Sequence, residues 1–137
     1  MNLHGIQPDE IMAYWPLVVP LLEKPFTRME LLKDYDVGYV LDEVKAKRMQ
    51  CWIAHSGDKI DAVFVTQIIN NPKRKLLTIP YVGAERGTIG TWIEAMDTFK
   101  AFAKEHGCTA IRGWGRKGWE RVLHPDSVRI EFDIEVA

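Results

Sequence analysis

Apolar residues in the first part of the chain recur at helical spacing. Ile11, Trp15, Val18 and Leu22 stand 4, 3 and 4 residues apart, the stripe that one face of an α-helix presents. Pro8, Asp9 and Glu10 precede it as a helix start, with proline in the first turn and acids at the positive end of the dipole. Pro16 and Pro20 each remove a backbone donor, which predicts a kink or two short helices. Pro25-Phe26-Thr27 interrupts the stripe. Thr27 with Glu30 forms a capping-box pattern that opens a further helix to about Tyr35. A short helix is predicted over Val37 to Lys47.

At Gln50 the period changes. Cys51-Trp52-Ile53-Ala54 ends in the turn Ser56-Gly57-Asp58. Ile60 to Ile69 is rich in Val, Ile, Phe and Thr, and Leu76 to Val82 follows after the basic turn Asn70 to Lys75. These three runs predict an antiparallel meander. Residues 88–106 then carry Ile89, Trp92, Ile93, Met96, Phe99 and Ala103 on one helical face, and Gly107 stops the helix. Cys108 to Trp114 reads as a strand, Gly115 to Leu123 as a tight turn and short helix. Val128 to Val136 alternates apolar and charged residues, the mark of a half-buried strand.

Composition narrows what such a chain does. It has 137 residues, 18 Lys and Arg against 19 Asp and Glu, and 47% hydrophobic residues. That length suits one domain over residues 1–137, large enough to hold a core without disulfide or metal. A net charge of −1 sets up no strong field for nucleic acid or an anionic membrane. Cys51 and Cys108 show no paired spacing and read as reduced core thiols, which points to the cytoplasm. The start of the chain lacks a basic region followed by an apolar one. The run Trp15 to Leu22 contains two prolines and is far short of the about 20 residues that a membrane span needs. The four histidines have no metal-ligand spacing.

The predicted order is helices, antiparallel meander, long central helix, then strand, short helix and strand in one mixed sheet. This α/β (α+β) order resembles the GNAT family of N-acetyltransferases. Gln50-Cys51-Trp52-Ile53-Ala54, Val65-Thr66-Gln67-Ile68, Ala103-Lys104-Glu105-His106-Gly107-Cys108 and Gly115-Arg116-Lys117-Gly118-Trp119-Glu120-Arg121-Val122-Leu123 resemble small GNAT-like proteins of tailed phages and prophages. The resemblance covers about residues 6 to 137. It implies a cytoplasmic host setting or a place in the virion.

In catalytic members of the family the cofactor diphosphate rests on backbone amides at the start of the long helix. Free amides and the helix dipole meet the double negative charge there, and glycines allow close approach. The corresponding positions here are Val82, Arg86, Gly87, Thr88, Ile89, Gly90 and Thr91. Gly87 and Gly90 stand out of register with the family pattern, Ile89 occupies a glycine position, and Glu85 adds negative charge beside them. Pro80 fits the bulged strand whose gap takes the pantetheine arm, and fits an interrupted structural strand equally. The family's tyrosine acid is missing from residues 108–137, and Asp61, Glu85 and His55 are the remaining polar groups near such a site. No catalytic residue is assigned.

Arg112, Trp114, Arg116, Lys117, Trp119 and Arg121 form a second cluster. Cations stack on tryptophan faces, and both residue types are enriched in binding hot spots, so the cluster reads as a partner surface or as a structural corner. The resulting expectation is a non-catalytic virion component or assembly factor, bound to other phage proteins or to itself and needing no cofactor. The alternatives are an acetyl-CoA-dependent N-acetyltransferase acting on an amine, and an inhibitor of a host factor.

Overall fold

The computed structural model describes residues 2–28, 32, 34–85, 89–114, 123–129, 131 and 133–136, with backbone alone at 28 and 89–92. The elements run β1 (Asn2–Ile6), α1 (Ile11–Arg28), α2 (Val37–Lys45), β2 (Gln50–Ser56), β3 (Lys59–Asn70), β4 (Lys75–Ala84), α3 (Ile89–Glu105) and β5 (Ala110–Gly113). The five strands form one sheet in the order β1-β2-β3-β4-β5. The first four pair antiparallel, and β5 joins β4 in parallel.

The sheet carries an apolar layer on each face. Ile6, Cys51, Ile53, Val63, Val65 and Tyr81 pack with Ile11, Val18, Leu21, Leu22 and Phe26 of α1 and Val40 and Val44 of α2. On the other face Ala54, Ala62, Phe64, Leu77 and Ile79 meet Ala95, Phe99 and Ala103 of α3. Trp52 stands edge-on to Phe99 and Phe102, with ring centroids 5.3 and 5.1 Å away. Its indole Nε1 donates to Thr66 Oγ1 at 2.9 Å, and that hydroxyl donates to Gln50 Oε1 at 2.8 Å. The polar end of a large half-buried ring is thereby satisfied.

α1 runs unbroken through Pro16, Pro20 and Pro25, so the expected break at Pro25 does not occur. Pro16 and Pro20 lie on the exposed side, where water can satisfy the carbonyls they orphan. Pro25 and Phe26 are buried against the sheet, and that burial outweighs the local propensity. Thr27 therefore sits in the last turn of α1, and residues 29–31 and 33 of the helix expected to follow it lie outside the described residues. α2 begins with Asp36, whose side chain accepts from the Tyr39 amide at 2.8 Å. It ends two residues before the expected Lys47. Lys47 turns left-handed at φ 63, and the amides of Lys47 and Arg48 reach back to Val44 O and Glu43 O at 3.0 and 2.9 Å. α3 closes the same way. Gly107 adopts φ 76, its amide donates to Lys104 O at 3.1 Å and the Cys108 amide to Ala103 O at 2.8 Å, a Schellman closure sealed by Cys108 and Ala103 in the core.

Two expectations change at the chain ends. β1, which the pattern did not announce, adds a strand outside the meander. The described residues of 128–136 form no strand, and Val136 is 95% exposed. Alternation makes a strand only where a neighbouring edge takes its hydrogen bonds, and β5 is just 4 residues long. The helix expected over 115–123 lies outside the described residues save for Leu123.

Candidate active site

β4 is irregular at its centre. Gln67 pairs with Thr78 and Val65 with Tyr81, so Thr66 of β3 faces both Ile79 and Pro80 of β4. Two residues against one make a β-bulge. Pro80, with no amide hydrogen, falls where the ladder needs none. Thr78 Oγ1 donates to Gln67 O at 2.9 Å beside the irregularity. The extra residue reverses the faces of the strand. Before it, Leu77 and Ile79 point to α3. After it, Val82 and Ala84 take that side, and Tyr81 turns toward α1.

The bulge also lies where pairing with β5 ends. Parallel pairing runs from Leu76↔Ala110 to Ile79↔Gly113. β4 continues through Pro80 to Ala84 with no strand on its β5 side among the described residues. That open stretch leads directly to α3. At its end the Glu85 amide donates to Asp61 O at 3.0 Å. Ser56 Oγ donates to the Asp61 carboxylate at 2.7 Å, and Lys24 Nζ lies 3.5 Å from Glu85 Oε2. His55 Nδ1 is 3.3 Å from Gly57 O. Asp61, His55 and Glu85 are therefore held at the sheet end by local partners.

On the α1 side of the open stretch three tyrosines and a phenylalanine converge. The Phe26 and Tyr81 ring centroids are 4.7 Å apart, Tyr35 and Tyr39 5.0 Å, and Tyr35 meets Tyr81 edge-on at 6.4 Å. Tyr35 is 43% exposed and Tyr81 5%, so the group has a wet rim and a dry base. Burial raises the Tyr81 phenol well above the ordinary tyrosine range, and Tyr35, Tyr39 and Asp34 nearby add to the effect. Burial also raises Tyr39, helped by Glu43 and Tyr35. Tyr81 is a neutral phenol at neutral pH and a weaker acid than a free tyrosine, so its hydroxyl serves as a hydrogen-bond donor. Tyr35 and Tyr39 stand on either side of the Asp36 cap at the start of α2, and only the tertiary fold brings Tyr81 to them.

Of the sequence-derived cofactor residues, Val82 is half-buried on the α3 face of β4. Ile89, Gly90 and Thr91 form the opening turn of α3, and Arg86, Gly87 and Thr88 lie outside the described residues. In the Arg and Trp cluster, Arg112 sits on β5 opposite Thr78 and Trp114 is 41% exposed. Arg116, Lys117, Trp119 and Arg121 lie outside the described residues, so the structure brings no assembled corner into view.

No family model and no curated protein matches the chain. Solved structures do match it along nearly its whole length. A predicted acetyltransferase from Clostridium acetobutylicum with acetyl-CoA is 16% identical, with TM-score 0.69 over 98% of this chain and 95% of that one. An aminoglycoside acetyltransferase from an uncultured soil metagenomic sample, in complex with sisomicin, is 12% identical, with TM-score 0.66 over 99% and 96%. The ribosomal-protein-alanine N-acetyltransferase of Brucella melitensis biovar Abortus is 10% identical, with TM-score 0.65 over 100% and 99%. The chain has the mixed α/β fold of the GNAT acetyltransferases.

Proposed function

We propose that the protein is an acetyl-CoA-dependent N-acetyltransferase acting on an amine. The observation that carries this reading is the β4 edge beyond Ile79, bulged at Pro80, unpaired on its β5 side among the described residues and running toward α3. β5 pairs with β4 along all 4 of its residues and ends there, while β4 runs on through Ala84. A gap there offers backbone groups from Tyr81 to Ala84 to a ligand lying along the edge, and the opening turn of α3 offers free amides to a diphosphate. Val82, Ile89, Gly90 and Thr91, with Arg86, Gly87 and Thr88, are the positions that would hold the cofactor.

Acetyl-CoA, when bound, supplies an acetyl group activated as a thioester. The chain's own residues would do the rest. Tyr81 follows the bulge directly, and its neutral hydroxyl would stabilise a leaving thiolate by donating a hydrogen bond, while the thiolate takes its proton from solvent. The faces of Tyr35 and Tyr39, beside Asp34, favour a cationic amine approaching from the α1–α2 side. The amine must lose a proton before it attacks, and solvent at the exposed rim near Tyr35 can take it.

The expectation of a non-catalytic particle component, which rested on the displaced glycines, the missing late tyrosine and the phage resemblance, has no support among the structural neighbours. Titration of the full chain with acetyl-CoA in a calorimeter, followed by a thiol-release assay over a panel of polyamines and aminoglycosides, tests the acetyltransferase reading. Saturable acetyl-CoA binding and amine-dependent thiol release are expected. No heat at millimolar acetyl-CoA would overturn the proposal.

A further inference from the structure

At the other end of β4 a depression of about 450 Å³ opens between the β3–β4 connection, β5 and the C-terminal segment. Among the described residues its lining is Asn71, Pro72, Lys73, Arg74, Arg112 and Arg129, four cations and no carboxylate. They come from three separate stretches of a chain whose net charge is −1, so the positive charge is gathered by folding. Among the described residues none of the four side chains has a hydrogen bond or an acidic partner.

The frame around them is fixed. The Asn71 amide donates to Arg74 O at 3.0 Å and closes the tip, and the Thr109 amide donates to Lys75 O at 2.9 Å, tying the start of β5 to the start of β4. Pro72 restricts the tip further. Arg112 stands on β5, half-buried, and faces the tip from a strand. The volume falls in the range of small-molecule sites, about 300–1,000 Å³.

We infer that this depression binds a small molecule carrying several phosphate charges. Arginine forks match phosphate oxygens two at a time, and lysine adds a point charge. Three arginines and a lysine around one concavity exceed what a single carboxylate requires. The site is separate from the cofactor position, because Lys75 and Ala84 lie at opposite ends of β4, about 30 Å apart along an extended strand. It does not depend on the acetyltransferase reading.

The test titrates the full chain with inorganic tripolyphosphate in the presence of saturating acetyl-CoA, which occupies any diphosphate cradle at α3. Saturable binding that weakens with added KCl is expected. Arg112→Ala and Lys73→Ala should each raise Kd about tenfold, Arg112→Lys should recover part of the loss, and melting temperatures should stay near wild type. Lys73 is an exposed tip residue, so its variant remains informative if Arg112→Ala fails to fold. Unchanged affinity in the Lys73 variant, displacement of tripolyphosphate by acetyl-CoA, or no binding at millimolar tripolyphosphate would each overturn the inference.

Discussion

Gly83 of β4 packs against the backbone of Leu21 in α1 so closely that a methyl group on Gly83 would overlap the Leu21 carbonyl. The hydrogen that glycine carries in place of a side chain points at that oxygen. Leu21 is also the residue whose carbonyl Pro25, four positions on, cannot serve with an amide hydrogen. One proline in the helix and one glycine in the strand thus set how near α1 comes to β4, and with it the position of Phe26 against Tyr81.

Gly83→Ala should therefore cost about 3 kcal/mol, since the obstruction is backbone and cannot rotate away. Urea denaturation gives the value. A loss below the roughly 0.5 kcal/mol typical of surface changes would show that α1 can retreat freely.

Lys47 holds a left-handed φ of 63 at the end of α2, where a Cβ is strained. Lys47→Gly should stabilise the protein by about 0.5–1 kcal/mol, read as a raised thermal midpoint. A lowered midpoint would mean that the lysine contributes more than its backbone costs.

The Tyr81 phenol is held protonated by burial. Tyr81→Phe should leave acetyl-CoA affinity intact and lower kcat for amine acetylation about 100-fold, the low end for losing one hydrogen bond to developing negative charge. Tyr35→Ala should instead raise KM for the amine. Equal activity of wild type and Tyr81→Phe would remove the hydrogen-bond donor role while leaving the cofactor gap untested by that variant.

Burial pushes the Cys51 thiol up to about 12. An unfolded thiol ionises near about 8.5, so above that pH the unfolded chain releases a proton that the folded chain retains. The stability that Cys51 contributes is complete below about 8.5. It declines by about 1.4 kcal/mol per pH unit between there and the folded value. Cys51→Ala should be less stable at neutral pH, from the lost packing, yet show a shallower alkaline decline. Rapid alkylation of native Cys51 at pH 8 would contradict its burial.

The sequence by itself determined the elements whose signals are local. α3 follows from its apolar face and the Gly107 stop, and β2, β3 and β4 from their apolar, β-branched runs and the turns between them. The antiparallel meander at the centre of the sheet followed from these. The bulge was legible only as a question, because Pro80 fits more than one irregularity until Gln67↔Thr78 and Val65↔Tyr81 fix the register. Tertiary structure decided what depends on a partner. β1 exists because β2 offers an edge to residues of weak propensity. α1 stays whole through Pro25 because Phe26 and its neighbours are buried. Residues 128–136 show the converse, an alternating pattern that meets no receiving edge among the described residues. The meeting of Tyr35, Tyr39 and Tyr81, and of Arg112 with Lys73 and Arg74, joins segments far apart in the chain. Spacing encodes which way a side chain points within its own element, while the approach of two elements is set by the close packing of everything between them.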